Sequence, residues 1–171
     1  MASLIEELIS VLSEENKEYQ DLVILSREKT NVIVKGDIEY LKKITEAEEN
    51  FINRITKLEK SRSVLQKDIA TVLCRDADKL TVRDIIEVLN GQIEAKQKLA
   101  SVYDELKVTI DSMVTVNELN RNLINQSLEL INFDLNLLQG AYQEPETANY
   151  SKNAYNAGVI DKGAGVFDAK Q

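Results

Sequence analysis

The stretch from Thr81 to Gln139 constrains this chain most. It contains no proline and a single glycine, Gly91, and reads as one continuous helix over residues 82–139. At 1.5 Å per residue such a helix is a rod of roughly 87 Å. No other segment of the 171-residue chain is long enough to lie against all of it. Its second half therefore needs a partner that its sequence neighbours do not supply.

Those neighbours are two shorter helices. Residues 2–35 place Leu4, Leu8, Val11, Tyr19, Leu22, Leu25 and Ile33 at spacings built from three and four, which puts them on one face of a helix. Glu15 and Lys29 lie on the same stripe. Gly36-Asp37 then carries a stop and a start signal: glycine suits the left-handed residue after a helix, and aspartate suits the N-cap. So short a link folds the two helices into an antiparallel hairpin. The second helix, about 38–74, runs Leu41, Ile44, Glu48, Phe51, Ile55, Leu58, Arg62, Leu65, Ile69 and Val72 without a slip in the three–four alternation. This is a heptad seam with two charged members, Glu48 and Arg62, which cost stability, fix register and reach to the edge of a narrow bundle. Cys74 closes the helix as a small, partly buried residue.

Residues 75–80 form the second connection. Thr81-Val82-Arg83-Asp84 resembles a capping box with aspartate in place of glutamate, so the long helix starts at Val82. Its seam passes through Ile86, Leu89, Ile93, Leu99, Tyr103, Leu106, Ile110 and Met113, with Lys96 on the same face. Gly91 weakens this helix by about 1 kcal/mol relative to alanine, without ending it. After Val116 the pattern changes. Asn117 and Asn120 fall on the seam, where asparagine relaxes the seam as the bundle ends, or hydrogen-bonds a substrate backbone or another asparagine across helices. Beyond them Ile124, Leu128, Ile131, Leu135 and Leu138 form one line, which Leu123, Leu130, Phe133 and Leu137 widen. The first two helices cover the third as far as about residue 120, leaving about 20 residues, or roughly 30 Å, beyond them. So broad an apolar surface wants burial: by folding back, by dimerisation, or under another protein's helix. Gly140 ends the helix, and residues 141–171 hold the only proline, Pro145, and lose all periodicity, as a flexible tail does.

Composition narrows the function. Histidine is absent, which removes the commonest general base and metal ligand, and a single cysteine builds neither a disulfide nor a thiolate metal site. Gly163-Ala164-Gly165 follows no strand and is no phosphate loop. No catalysis, cofactor or metal is expected. The formal net charge of −8 argues against nucleic acid and anionic membranes. No apolar run approaches the ~18 residues of a membrane span, and the N-terminus lacks a basic secretory start, so the expected location is cytoplasmic. The fold expected is all-α, an elongated antiparallel bundle or coiled coil of three long helices (about 2–35, 38–74 and 82–139). The division expected is a helical domain over 1–140 and a tail over 141–171.

The order Glu15, Tyr19, Leu22, Leu25, Lys29, then Leu41, Glu48 and Arg62, then Asn117-x-x-Asn120-x-x-Leu123-Ile124, resembles the FlgN-type flagellar export chaperones over residues 4–140. The ending, with Tyr155, Gly158 and Val166-Phe167-Asp168-Ala169-Lys170, is loosely similar to tails in that family. The resemblance implies a cytosolic chaperone that holds C-terminal segments of flagellar hook-associated proteins and delivers them to the type III export gate. It places substrate binding in the C-terminal part of the last helix, here Asn117, Asn120, Leu123, Ile124, Leu128, Ile131, Leu135 and Leu138. The free chain is then a monomer or a weak dimer. The competing expectation is a structural coiled-coil protein that self-associates through the same surface.

Overall fold

The computed structural model describes residues 2–77, 79–89 and 91–142. Four helices follow one another: α1 (Ala2–Lys35), α2 (Ile38–Val72), α3 (Val82–Val88) and α4 (Ile93–Tyr142), and no strand occurs among the described residues. The chain divides into two compact units, Met1–Ile131 and Asn132–Gln171.

The hairpin between α1 and α2 forms as its residues dictate. Gly36 takes a left-handed φ of 69°. Its N–H donates to the Ile33 carbonyl and that of Asp37 to the Val32 carbonyl, which closes the α1 C-terminus as a Schellman turn. The Asp37 carboxylate accepts from the Tyr40 N–H at 2.9 Å and caps α2. The C-terminus of α2 uses the same motif without glycine. Cys74 adopts φ 52°, its N–H donates to the Thr71 carbonyl, and the Arg75 N–H donates to that of Ala70. Cys74 is exposed, not partly buried, and the helix ends at Val72, itself half exposed, rather than at 74.

The charged seam residues of the two helices meet each other. Lys29 Nζ lies 2.6 Å from Glu48 Oε2, and Arg62 Nη2 lies 3.6 Å from Glu15 Oε1. Glu15 and Lys29 stand two heptads apart, as do Glu48 and Arg62, so an antiparallel register that pairs one couple pairs the other. Slipping the hairpin by one heptad would set Glu15 against Ile55 or Ile69, an uncompensated charge against a buried apolar side chain.

The expected single helix over 82–139 is broken. The Thr81–Asp84 capping box is present, and the hydroxyl and N–H of Thr81 hold the Asp84 carboxyl below its ordinary pKa. The chain leaves the helical conformation at Leu89, and α4 begins at Ile93, with the Lys96 N–H donating to the Gln92 carbonyl. Asn90 and Gly91, two of the weaker helix formers, fall in the sequence between α3 and α4. Breaking there lets Leu80, Val82, Ile85 and Leu89 join the core around Ile5, Leu8, Ile69 and Leu99. Each such burial contributes about 1.5–3 kcal/mol, more than the few helical hydrogen bonds forgone. Ile93, assigned to the seam from periodicity, is largely exposed. Gly140 does not end α4, which continues to Tyr142; the remainder of the expected tail, 143–171, lies outside the described residues.

Helix α4 runs parallel to α1. Thr109 donates to Asn16 at 2.7 Å, and further along Asn120 donates to the Ser26 carbonyl. Asn16 reaches α4 while its neighbour Glu15 reaches α2, so α1 carries two contact lines one residue apart. This is why Ile5, Leu12 and Val23 are buried, while Leu4, Val11 and Leu25 are only half buried. The core is layered: an apolar block at the α3 end, the Glu15–Asn16–Arg62–Thr109 polar layer, then Leu22, Val23, Ile55 and Met113, then a second polar layer.

Candidate functional site

The second polar layer ends the well-packed part of the bundle. Asn120 is 4% exposed. Its Nδ2 donates to the Ser26 carbonyl at 2.8 Å, and its Oδ1 accepts from the Thr30 hydroxyl at 2.6 Å. Ser26, wholly buried beside it, directs its hydroxyl at Glu48 and the Met113 sulfur. The amide at position 120 is thus committed to α1, whereas Asn117, one turn earlier, is exposed. Of the two asparagines singled out from the sequence, one anchors α4 and the other faces solvent.

One turn past Asn120, α4 meets the α1–α2 hairpin. Ile124, Ser127, Leu128 and Ile131 face Val32, Ile33, Gly36, Asp37, Ile38 and Leu41 across an apolar groove of about 300 Å³. Length matching from Val82 places the end of the hairpin's cover near residue 120. The cover reaches further because the helix parallel to α1 begins at Ile93, and α1 is 34 residues long. The few polar groups of the groove are already engaged. Ser127 Oγ donates back to the Leu123 carbonyl, and the Asp37 carboxylate is held by its capping bond. What remains open to a ligand is mostly hydrocarbon.

Leu123 and Ile124 are half buried. Leu128, Leu130, Ile131, Phe133, Leu135, Leu137 and Leu138 are each between 49% and 62% exposed. At 100° per residue, Leu128, Ile131, Leu135 and Leu138 form one line and Leu130, Phe133 and Leu137 another. Asn125, Asn132, Asn136 and Gln139 share the remaining arc, so this part of α4 is apolar around more than half its circumference. The exposed apolar side chains sum to on the order of 700 Å², above the ~300–600 Å² of the largest patch on a typical monomer. Among the described residues no cluster of His, Cys, Asp or Glu is arranged to hold a metal, and no helix is long and apolar enough to cross a membrane.

Comparison with known proteins identifies the family. The FlgN protein family matches residues 1–158. The chain belongs to the FlgN family. It is also 26% identical over 135 residues to the uncharacterized protein YvyG of Bacillus subtilis (strain 168), an alignment that spans 79% of each chain. No solved structure matches. FlgN membership carries a flagellar export chaperone role, and the family is one of chaperones rather than enzymes.

Proposed function

We propose that this FlgN protein shields C-terminal segments of hook-associated proteins, the subunits that join hook and filament, and delivers them to the flagellar type III export gate in the cytoplasm. The observation that carries the proposal is the exposed double line of leucine, isoleucine and phenylalanine on α4 after Asn120. An area on the order of 700 Å² matches the ~800 Å² per partner of a specific interface. Leu123, Ile124, Leu128, Ile131, Leu135 and Leu138 supply anchors at the spacing an amphipathic helix reads. Asn117 borders this surface, and Asn120 serves it as the tie to α1. Burial of the segment's apolar side keeps it from self-assembly and premature folding, and no nucleotide chemistry is needed for release.

The test is calorimetric titration with hook-associated proteins from the same organism. Replacing Ile131 and Leu138 together by aspartate places two charges on an interface of hydrocarbon. Binding should be lost while helicity, read by circular dichroism, stays nearly intact, because both residues are exposed in the free chain. Unchanged affinity would move the client site elsewhere. A concentration-dependent dimer weakened by the same changes, with no client bound, would favour self-association instead.

A further inference from the structure

Resting on that proposal, we infer that the segment docking on α4 carries a lysine or arginine within its apolar stripe, and that Asp134 selects for it. Leu99, Leu106, Met113 and Asn120 recur every seven residues and are the buried residues of α4. The next two members of that series are Ser127 and Asp134. Asp134 therefore continues the heptad line of the buried residues of α4, but it is itself exposed. On the helical projection it lies between Ile131 and Leu138 on one side and Leu130 and Leu137 on the other, inside the apolar arc.

A carboxylate in the middle of a hydrocarbon surface loses water when that surface is covered, and it then needs a counter-charge. No basic residue stands near it in the sequence. After Arg121 the sequence has no lysine or arginine before Lys152, while Glu129, Asp134, Glu144 and Glu146 are all acidic. A second copy of the chain brings another Asp134 and no basic residue between Arg121 and Lys152, so two copies pressed together leave both Asp134 carboxylates without a basic residue from this part of α4. The charge pattern thus fits a different protein segment, apolar along its stripe with one basic residue set into it. Asp134 acts as a specificity residue: it rewards that segment and opposes both self-pairing and purely apolar helices.

The experiment uses the full chain and three synthetic 20-residue amphipathic peptides. They share one leucine stripe and differ only in the residue at its centre, lysine, glutamine or glutamate. Fluorescence anisotropy at low salt should rank lysine first, with about a tenfold preference over glutamate. Asp134→Asn should erase the ranking, and Asp134→Lys should reverse it, which mere loss of structure does not do. Equal affinity for the three peptides, lost on Ile131→Asp, would overturn the role of Asp134 and leave the client surface standing. Binding of none of them, or binding insensitive to Ile131→Asp, would overturn the inference together with its seat on α4. Sedimentation closes the remaining route: Asp134→Asn should strengthen self-association, and a wild-type dimer indifferent to that change would make a second copy the occupant.

Discussion

Glu15 offers a sharp test of how the α1–α2 hairpin is held. Its side chain is 1% exposed, its Oε2 has no hydrogen-bond partner, and Arg62 stands at 3.6 Å from Oε1, too far for a good hydrogen bond. Burial pushes the carboxyl above the 4.5 of a free glutamate; Arg62 opposes the rise and Glu59 adds to it. A raised pKa means that the folded chain binds this proton more tightly than the unfolded chain does. The stabilisation from Glu15 is therefore fully present below 4.5 and is lost as pH rises through the elevated folded value. Glu15→Gln keeps the shape and removes the charge. At pH 8 it removes a buried carboxylate charge that costs about 1–3 kcal/mol, and it forfeits a long ion pair, partly open to water, of about 0.5–1 kcal/mol. The variant should then be more stable than the parent by about 1 kcal/mol at pH 8, with the advantage shrinking toward pH 5. Urea unfolding followed by helical circular dichroism at pH 5, 6, 7 and 8 measures the difference, and comparing the two chains at each pH cancels every other titrating group. A parent more stable than Glu15→Gln at pH 8 would show that attraction to Arg62 outweighs burial, and would refute the reasoning.

Asn120→Ala removes two buried hydrogen bonds, but the Thr30 hydroxyl can then turn its proton to the Ser26 carbonyl 3.2 Å away, so no group is orphaned. Its cost should be about 2 kcal/mol in urea unfolding, and Asn120→Asp, which aims a carboxylate at that carbonyl, should cost more. Cys74→Gly should stabilise by about 1 kcal/mol, because glycine adopts φ 52° without the penalty a side chain meets; a thermal melt shifted downward would show that the cysteine side chain contributes packing.

Much of the fold is written in short-range signals. Gly36-Asp37 and the Thr81–Asp84 box reveal their turns and caps because each acts through its own backbone, without help from distant residues. The charged members of the seams are visible as exceptions to heptads, and their common spacing of two heptads is enough to pair them. The break at Leu89–Gln92 is not legible from periodicity, since Ile86, Leu89 and Ile93 continue the three–four pattern across it. Asn90-Gly91 is the available signal, and its weight depends on a tertiary gain: the apolar block that α3 completes with Ile5, Leu8 and Ile69. The same limit applies to α1, where periodicity shows one stripe although two partners demand two. For the candidate site, the apolar line is legible, but the inward turn of Asn120 is not. Whether an amide on a seam faces a neighbour or a ligand depends on which helix arrives beside it.

That inward turn explains why α4 changes character where it does. A heptad series places one residue every two turns on nearly the same line, drifting by ~20° per repeat. Up to Met113 this line is apolar and buried, so a narrow contact with α1 suffices. At Asn120 the contact becomes polar, yet two hydrogen bonds to α1 keep it closed. Ser127 and Asp134 carry the polar line onward, with no described bond to α1, while leucines gather on both of its flanks. Such a helix is no longer matched to the hairpin that holds its first half, because its apolar surface has divided around a polar centre. A partner fitted to it needs two apolar ridges and a polar group between them. Asn120 is then the boundary between a contact that folds the chain and a surface built for another one.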